Sequence, residues 1–389
     1  MASQSPSSSL PATMKAIQYS STRDGFLPSL RFNTSAPLPP TAHSLAPNTI
    51  LVQVLTASIN PAEYKFLSIP FVETFFVKPD TTPGMDFAGK CVASNLSSPP
   101  ASTDPKVGDL VFGRLAGPLA ARIGSLAEYT VVPRSSCVRL PGSVKVDEAA
   151  GVGTAGLTAY QSLVPYLPPA PATSQPPAKP KKVFINGGSG GVGTYGIQIA
   201  KAMGSYVVTS CSTSNIALCK DLGADHVIDY KTQDVLAELI KVGGFDLVVD
   251  NVQVPRVLYW RSHLFMDVRD GRWMQVASEP AVSDAVFLYK RMWWPALLGG
   301  GKVKFGFLWL KNRPEDLMQI AEWMADGKLR GVVEGRFKFD LDGVKEAYER
   351  LMTGRARGKV LVEVGKVEDG ESRGVLTDQL QSPNHSGSP

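Results

Sequence analysis

The chain has 389 residues, of which 43% are hydrophobic and 19% charged, with 40 basic residues against 35 acidic ones. This length and composition predict a soluble globular protein of two or three domains. The basic residues are scattered and no apolar run is long enough to cross a bilayer, which argues against a nucleic-acid-binding protein and against a membrane-spanning one.

The four cysteines are far apart in sequence or lack CxxC spacing, and they are Cys91, Cys137, Cys211 and Cys219. This pattern predicts buried thiols in a reducing compartment rather than a disulfide framework. The N-terminal sequence MASQSPSSSLPAT has neither the basic segment nor the apolar segment of a secretion signal. We therefore expect a cytoplasmic protein.

The first half of the chain is rich in short β-type runs. Residues 1–12 are rich in Ser and Pro and are predicted to be a disordered extension. Residues 13–150 contain the runs KAIQY, ILVQVLTASIN, FAGKCVAS, DLVFGRL and LAEYTVV, separated by turn signals, which predict an antiparallel β-domain. The segment VDEAAGVGTAGLTAYQSLV then predicts a helix, and the proline-rich segment after it predicts an exposed loop.

From Val183 onward, strand and helix patterns alternate. The runs KVFIN, YVVTSC, HVIDY, FDLVVDN and RWMQVAS predict strands, and GVGTYGIQIAKAMG and NIALCKDLG predict helices between them. This alternation predicts a doubly wound parallel sheet in an α/β domain over residues 151–300. Residues 301–365 contain two predicted helices and a last strand, GKVLVEV, and residues 366–389 are predicted to be a disordered tail.

A glycine-rich motif of the form G-x-G-x-x-G follows the strand KVFIN and opens the next helix. Its residues are Gly188, Ser189, Gly190, Gly191, Val192 and Gly193. Such glycines allow the backbone to approach a pyrophosphate, whose charge lies on the free N–H groups of the helix N-terminus. In this strand–helix context the motif predicts a dinucleotide site, and the alternative is a tight turn that binds nothing.

The end of the second strand of this unit indicates which dinucleotide is bound. An acidic residue there would bind the ribose 2′-hydroxyl of NADH, but the sequence is SCSTSN, without an acid. This favours NADPH, with its 2′-phosphate held by Ser212, Ser214 and Asn215 and with Lys220 as an additional cation. The alternative is that these side chains cap the helix that follows.

Several motifs in the expected order resemble one known superfamily. The motifs are SINPAEYK, PGMDFAG, GLTAY, NGGSGGVG, LGADHVIDY and GKVLVEV, and the similarity extends from about Met14 to Val364. The chain resembles the medium-chain dehydrogenase/reductase superfamily and, within it, the quinone oxidoreductase (zeta-crystallin-like) branch. The resemblance implies a GroES-like β-rich catalytic domain over residues 13–150, a Rossmann domain over residues 151–300 and a return to the catalytic domain over residues 301–365.

The same resemblance implies that the cofactor lies in the cleft between the two domains. It also implies a homodimer, formed through an edge strand in the segment MWWPALLGGGKVKFGFLWLK, for which core packing or contact with a membrane surface are the alternatives.

Zinc-dependent members of the superfamily have metal ligands where this chain has Asn60 and Gly84-Met85-Asp86, and they carry a four-cysteine lobe that is missing here. The cysteines and histidines of the chain are too scattered to predict a tetrahedral site. We therefore expect no metal, and hydride transfer to an acceptor that is already conjugated, such as a quinone, an enone or an enoyl thioester.

The resemblance also implies roles for single residues. Asn60 would lie beside the nicotinamide and Thr158 near the same end of the cofactor, Tyr230 would flank the adenine, Asn251 would line the cleft, and Lys359 would reach the cofactor or substrate. Each residue also has a structural alternative, such as a turn, a helix-backbone contact or core packing.

The proton donor is the least determined part of the site. Tyr64 and Lys65 would point to opposite faces of an extended segment, so that at most one of them faces the cleft. Lys65 is favoured because a cation could stabilise a developing enolate or quinol oxide. Water is the alternative donor.

The sequence thus predicts an NADPH-dependent, zinc-independent reductase of a quinone-like small molecule. Two alternatives stay open: an enoyl or enone reductase of secondary metabolism, and a catalytically silent NADPH-binding regulatory protein.

Overall fold

The computed structural model describes residues 10–69, 72–96, 104–115, 122–167, 179–276, 282–294, 298 and 300–365. Most of the proline-rich segment, the first nine residues of the predicted N-terminal extension and the predicted tail lie outside the described residues. Leu10 packs at the edge of a core cluster of the β-rich domain, so ordered structure begins slightly before the predicted end of the extension.

The strands of the described chain are β1 (Thr13–Gln18), β2 (Arg31–Pro37), β3 (Thr49–Ile59), β4 (Asp86–Asn95), β5 (Leu110–Arg114), β6 (Tyr129–Pro133), β7 (Cys137–Arg139), β8 (Lys182–Asn186), β9 (Tyr206–Cys211), β10 (His226–Asp229), β11 (Leu247–Asp250), β12 (Arg272–Gln275), β13 (Lys304–Phe307), β14 (Val333–Lys338) and β15 (Lys359–Glu363). The helices are α1 (Phe26–Ser29), α2 (Ala62–Lys65), α3 (Val72–Phe76), α4 (Val146–Ala150), α5 (Gly153–Leu163), α6 (Gly191–Ala202), α7 (Ile216–Asp221), α8 (Val235–Val242), α9 (Val257–Trp260), α10 (Val282–Trp293), α11 (Pro314–Ala325) and α12 (Leu341–Met352).

The second half of the chain forms a six-stranded sheet in the order β10-β9-β8-β11-β12-β13, and all its neighbouring strands are parallel. The strand order reverses between β8 and β11, which is where doubly wound sheets bind ligands at the carboxyl ends of their strands. The central strands β8 and β11 are buried almost throughout, as expected for a parallel sheet covered on both faces. The predicted doubly wound sheet is confirmed.

Strand β13 is the edge strand of this parallel sheet and pairs with β12. It lies beyond residue 300, where the sequence predicts the end of the Rossmann domain. Because KFGF still belongs to the parallel sheet, the chain returns to the β-rich domain later than predicted. None of the helices that the structure describes is long and apolar enough to cross a membrane.

Five strands of the first half of the chain and the last two strands, β14 and β15, form a seven-stranded sheet in the order β14-β15-β3-β4-β5-β7, with β6 paired to β3. Its pairings are antiparallel except for β14 with β15, which are parallel. Strand β15 pairs with the second half of β3, so the last strand of the chain completes the sheet that the first half begins.

The segment predicted as one helix before the proline-rich region forms two helices, α4 and α5. The break falls at Gly151 and Val152, because α5 begins directly against the β-sheet. A Cβ atom on Gly153 would clash with Asp86 and with the carbonyl of Gly113, so only glycine permits this approach. The close contact brings the first turn of α5 to the end of the sheet where the candidate site lies.

Candidate active site

The two domains meet where β15 begins. The backbone N–H of Gly358 donates to the carbonyl of Ser189 at 2.9 Å, and Gly358 forms a parallel bridge with Gly190. Gly358 has a φ of 73°, and a Cβ atom there would clash with the carbonyl of Val332. The glycine loop at residues 187–193 is therefore held by the backbone of the β-rich domain.

A cluster of four buried polar side chains and the half-buried Thr154 lies at the junction, and we call it the buried polar cluster. Its members come from the end of β3, from α2, β4, α5 and β15, and they are Asn60, Glu63, Asp86, Thr154 and Lys359. Asp86 is the centre of the cluster. Its Oδ2 accepts from Asn60 Nδ2 at 2.9 Å and from Lys359 Nζ at 3.2 Å, and its Oδ1 accepts from Thr154 N at 2.7 Å and from Thr154 Oγ1 at 2.6 Å. A buried carboxylate is thus fully paired.

The sequence predicts that Asn60 lies beside the nicotinamide. In the structure its amide is enclosed in the buried polar cluster. The residue is 3% exposed, its Nδ2 donates to Asp86 and its Oδ1 accepts from Lys359 Nζ at 2.6 Å. Both ends of the amide are therefore used inside the protein. The amide is enclosed because Asn60 directly follows β3, which pairs with β4 on one side and with β15 on the other. Asn60 holds the ion pair of Asp86 and Lys359 in position.

Lys359 was expected to reach the cofactor or substrate, but its ammonium group points into the buried polar cluster. The residue is 4% exposed, and Nζ is bound by Asn60, Asp86 and the carbonyl of Ile59 at 3.4 Å. Its methylene chain lies under the glycine loop, because a Cβ atom on Gly191 would lie 3.2 Å from Lys359 Cδ. The side chain therefore supports the loop from below.

Glu63 is a titratable member of the cluster that the sequence analysis missed. Its Oε1 accepts from the backbone N–H of Met85 at 3.0 Å and its Oε2 accepts from the hydroxyl of Tyr348. Burial raises the pKa of Glu63 to about 8, although the hydrogen bond from Tyr348 lowers it. Thr154 was missed as well. It lies one helical turn before the predicted Thr158, and that spacing was the available signal.

The prediction for Tyr64 and Lys65 rested on an extended backbone, and this premise is wrong. Both residues lie in the short helix α2, whose first turn is closed by a bond from Lys65 N to the carbonyl of Pro61 at 3.0 Å. Successive residues of a helix point about 100° apart, so the argument from opposite faces does not apply. Tyr64 packs against the core of the β-rich domain, and both side chains are half-buried.

Thr158 lies on α5 one turn after Thr154 and is buried. Residues four apart share one face of a helix, so Thr158 and Thr154 follow the same side of α5. Thr158 thus follows Thr154, which binds Asp86, on this face of α5.

The glycine loop has the geometry that a pyrophosphate requires. A Cβ atom on Gly193 would clash with the carbonyl of Gly187, and one on Gly188 would clash with Thr209, so the tight turn needs both glycines. The nearest atom to a Cβ on Gly190 is the carbonyl oxygen of Gly187 at 3.7 Å. No side chain caps the N-terminus of α6, which leaves its first turn available to an anion.

The serine turn, defined as residues 212–215, lies beside the glycine loop. Asn215 Nδ2 donates to Ser189 Oγ at 3.0 Å and to Ser212 Oγ at 3.2 Å, and the hydroxyls of Ser212 and Ser214 lie 3.3 Å apart. Neither Ser212 nor Asn215 makes a side-chain cap to the helical segment that follows, so the capping alternative is wrong. Asn215 instead ties the serine turn to the glycine loop.

Two further predicted residues lie at carboxyl ends of the parallel strands. Tyr230 follows β10 and is 51% exposed, so the alternative of core packing is wrong. Asn251 follows β11 beside the glycine loop. Its amide nitrogen and oxygen are both buried, and neither has a hydrogen-bond partner among the described residues. Such an amide has both a donor and an acceptor still to be satisfied, and a dinucleotide on the glycine loop would fit this position.

The residues present do not fit a zinc ion. Among the residues that the structure describes, no group of three or more His, Cys, Asp or Glu side chains could hold a metal. The corner where zinc-dependent enzymes have their ligands instead contains Asn60, Asp86 and the ammonium group of Lys359. A fixed cation at this point repels a second one.

The comparisons with known proteins agree with this fold. The chain matches the family model of the alcohol dehydrogenase GroES-like domain over residues 46–142 and that of the zinc-binding dehydrogenase over residues 222–362. It is 46% identical to the trans-enoyl reductase pgmF of Aspergillus terreus, over 92% of this chain and 98% of that one.

Two quinone oxidoreductases are also similar. The chloroplastic quinone-oxidoreductase QR1 of Triphysaria versicolor is 29% identical, over 90% of this chain and 98% of that one. The solved quinone oxidoreductase of Coxiella burnetii has a TM-score of 0.70 and 26% identity, covering 90% of this chain and 99% of that one. The fold and the site define an oxidoreductase with a GroES-like domain and a Rossmann-like domain. The chain belongs to the medium-chain dehydrogenase/reductase superfamily.

The glycine loop gives a test that separates binding from folding. Gly190→Ala should leave the free energy of unfolding nearly unchanged, because its Cβ has open space, but should weaken dinucleotide binding at least tenfold by filling the path of the pyrophosphate. Gly193→Ala should instead destabilise the protein itself. Calorimetric titration and chemical denaturation of both variants check this, and unchanged dinucleotide affinity in Gly190→Ala would contradict it.

Proposed function

We propose that the protein reduces a carbon–carbon double bond conjugated to a carbonyl group, in an enoyl thioester or an enone, with NADPH as hydride donor and without zinc. The observation that carries the proposal is the ammonium group of Lys359 in the corner where a metal would lie. Without a metal to polarise it, a simple carbonyl is a poor acceptor, whereas a conjugated one accepts hydride at its β-carbon. The 46% identity to a trans-enoyl reductase along nearly its whole length supports this substrate class.

The cofactor supplies the hydride when it is bound, and the chain supplies its binding groups. The glycine loop and the first turn of α6 would hold the pyrophosphate, and the serine turn would hold the 2′-phosphate. The amide of Asn251 offers one donor and one acceptor group, which match a carboxamide or a ribose hydroxyl. Thr158 would lie toward the nicotinamide end, and the exposed ring of Tyr230 would flank the adenine.

The remaining chemistry concerns charge and a proton. Hydride addition to the β-carbon leaves an enolate, which must take one proton at the α-carbon to give the saturated product. Lys65 would stabilise the enolate oxygen, and Tyr64 or water would give the proton. Asn60 acts as a positioning residue, because both ends of its amide hold other side chains.

The direct test is NADPH oxidation, followed by its absorbance, with an enoyl thioester, an enone and a set of quinones as substrates. We expect the highest kcat/KM on the enoyl thioester, and lower kcat in Lys65→Met with unchanged NADPH affinity. Turnover of quinones alone would contradict the substrate class, and turnover of no substrate would support the catalytically silent regulatory protein.

Quinone reduction is the second candidate. It is favoured by the similarity to the Coxiella burnetii quinone oxidoreductase, whose fold matches over 90% of this chain. A quinone also needs no metal, because its carbonyl oxygens are conjugated and become aromatic on reduction.

The preference for NADPH has its own prediction. NADPH should bind at least tenfold more tightly than NADH, a difference of about 1.4 kcal/mol, because no acid at the end of β9 repels the 2′-phosphate. Ser212→Asp should reduce this preference by charge repulsion. Fluorescence titration with both dinucleotides is the measurement, and equal affinities in the natural protein would contradict the proposal.

The homodimer and the cytoplasmic location are also proposals. Among the described residues the edge strand β13 pairs only with β12, and Trp309 just beyond it is 73% exposed, which suits pairing with a second copy of the chain. The four cysteines are unpaired and buried, which suits a reducing compartment.

A further inference from the structure

A tight turn after β10 lies directly against the serine turn. The backbone N–H of Tyr230 donates to the carbonyl of Cys211 at 3.1 Å. Thr213 Oγ1 donates to Asp229 Oδ2 at 2.6 Å, and the backbone N–H of Lys231 donates to Asp229 Oδ1 at 2.9 Å. One carboxylate therefore binds the serine turn on one side and Lys231 on the other, which fixes the two turns relative to each other.

Lys231 is a cation on the turn that Asp229 joins to the serine turn. It is exposed, and its Nζ lies 5.6 Å from the centre of the Tyr230 ring. Within the described part of the chain it forms no salt bridge, although its charge also interacts with the carboxylate of Asp229. The exposed ring and the ammonium group lie side by side on the turn that Asp229 joins to the serine turn.

Lys220, the cation expected from the sequence, lies elsewhere. It is in the last turn of α7, five positions after Asn215. At about 1.5 Å per residue, its Cα lies about 7.5 Å along the helix axis from the serine turn. The two lysines can therefore be compared directly. The hydrogen bonds of Asp229 join the backbone of Lys231 to the serine turn, and no such bond is found for Lys220 among the described residues.

We propose that Lys231 is the residue that binds the 2′-phosphate electrostatically and so determines the preference for the phosphorylated dinucleotide. This inference rests on the proposed use of NADPH. The hydroxyls of the serine turn donate hydrogen bonds but bring no charge, and the nearby carboxylate of Asp229 repels a phosphate. A lysine offers a compact charge on a flexible chain, which suits a phosphate at an exposed turn.

The test uses two ligands that differ only in the 2′-phosphate, adenosine 2′,5′-bisphosphate and adenosine 5′-monophosphate, titrated by calorimetry into the full-length protein. Lys231→Gln should weaken binding of the bisphosphate about three- to tenfold and leave the monophosphate unchanged. Raising the salt concentration should narrow the difference between the natural protein and the variant. Lys220→Gln should weaken binding of the bisphosphate less than Lys231→Gln does, because Lys220 lies farther from the serine turn.

Each result has a separate meaning. If the natural protein prefers the bisphosphate and Lys231→Gln keeps that preference in full, the role of Lys231 is wrong while the use of NADPH stands. If Lys231→Gln weakens both ligands equally, the residue supports the adenosine site rather than the phosphate. If the natural protein has no preference for the bisphosphate, the proposed use of NADPH fails, and the role of Lys231 fails with it.

Discussion

Replacing Lys359 by methionine should lower the free energy of unfolding by about 3–5 kcal/mol, which is the cost of leaving one member of a buried ion pair without its partner. Methionine has nearly the same length, so packing under the glycine loop is kept while the charge is removed. Asp86 then has a buried negative charge that only Asn60 and Thr154 bind. Chemical denaturation gives the value directly.

A second substitution distinguishes the charge from the packing. In the double variant Lys359→Met with Asp86→Asn, Asn60 can turn its amide over and accept from the new Nδ2, so no buried charge is left unpaired. We expect the double variant to recover more than half of the lost stability. The surface pair of Lys201 and Asp225 is the control, since Lys201→Met should cost less than about 1 kcal/mol. A double variant no more stable than the single one would mean that the pair is not the source of the loss.

Stability should also fall as the pH rises toward 8, because of Glu63. Below its usual pKa, the folded and unfolded chains both hold the proton. Between that value and the folded pKa of about 8, the unfolded chain has lost the proton and the folded chain keeps it. The contribution of Glu63 to the free energy of unfolding is thus fully present at low pH. It decreases by about 1.4 kcal/mol per pH unit through this range.

Glu63→Gln isolates this effect, because glutamine keeps the size of the side chain and does not titrate. The free energy of unfolding of the variant, minus that of the natural protein, should increase by about 1.4 kcal/mol per unit between pH 5.5 and 7.5. Tyr348→Phe should extend the pH dependence to higher pH, because the hydrogen bond that lowers the pKa of Glu63 is lost. Parallel stability curves for the natural protein and Glu63→Gln would contradict the raised pKa.

The parts of the fold that the sequence predicted well are those specified by local patterns. The alternation of apolar runs and amphipathic segments after Val183 predicted the parallel sheet, and the motif around Gly190 predicted where a strand gives way to a helix. Glycines mark such positions because only they tolerate the close backbone contacts found there. The break between α4 and α5 was missed because it depends on a contact with Asp86, far away in the sequence.

The candidate site shows the same division. The serine turn and Asn251 lie beside the glycine loop, since parallel strands bring their carboxyl ends to one edge, and their roles in cofactor binding stay predictions. The resemblance assigned Asn60 and Lys359 to the cofactor cleft, whereas in the structure their side chains bind each other inside the buried polar cluster. Residues 299 positions apart in the chain bind each other there, and no local pattern reports such a pairing.

The pairing of β15 with β3 also decides when the seven-stranded sheet can form during synthesis of the chain. Ser58 donates to the carbonyl of Val360 across a separation of 302 residues. Ribosomes add about 5–20 residues per second, so the segment Thr56–Ile59 waits about 15–60 seconds for its partner. During this time one side of an apolar strand is uncovered in the nascent chain, which is the form of a protein most open to aggregation and to chaperones. The candidate site can therefore form only after the segment Lys359–Glu363 has been synthesised.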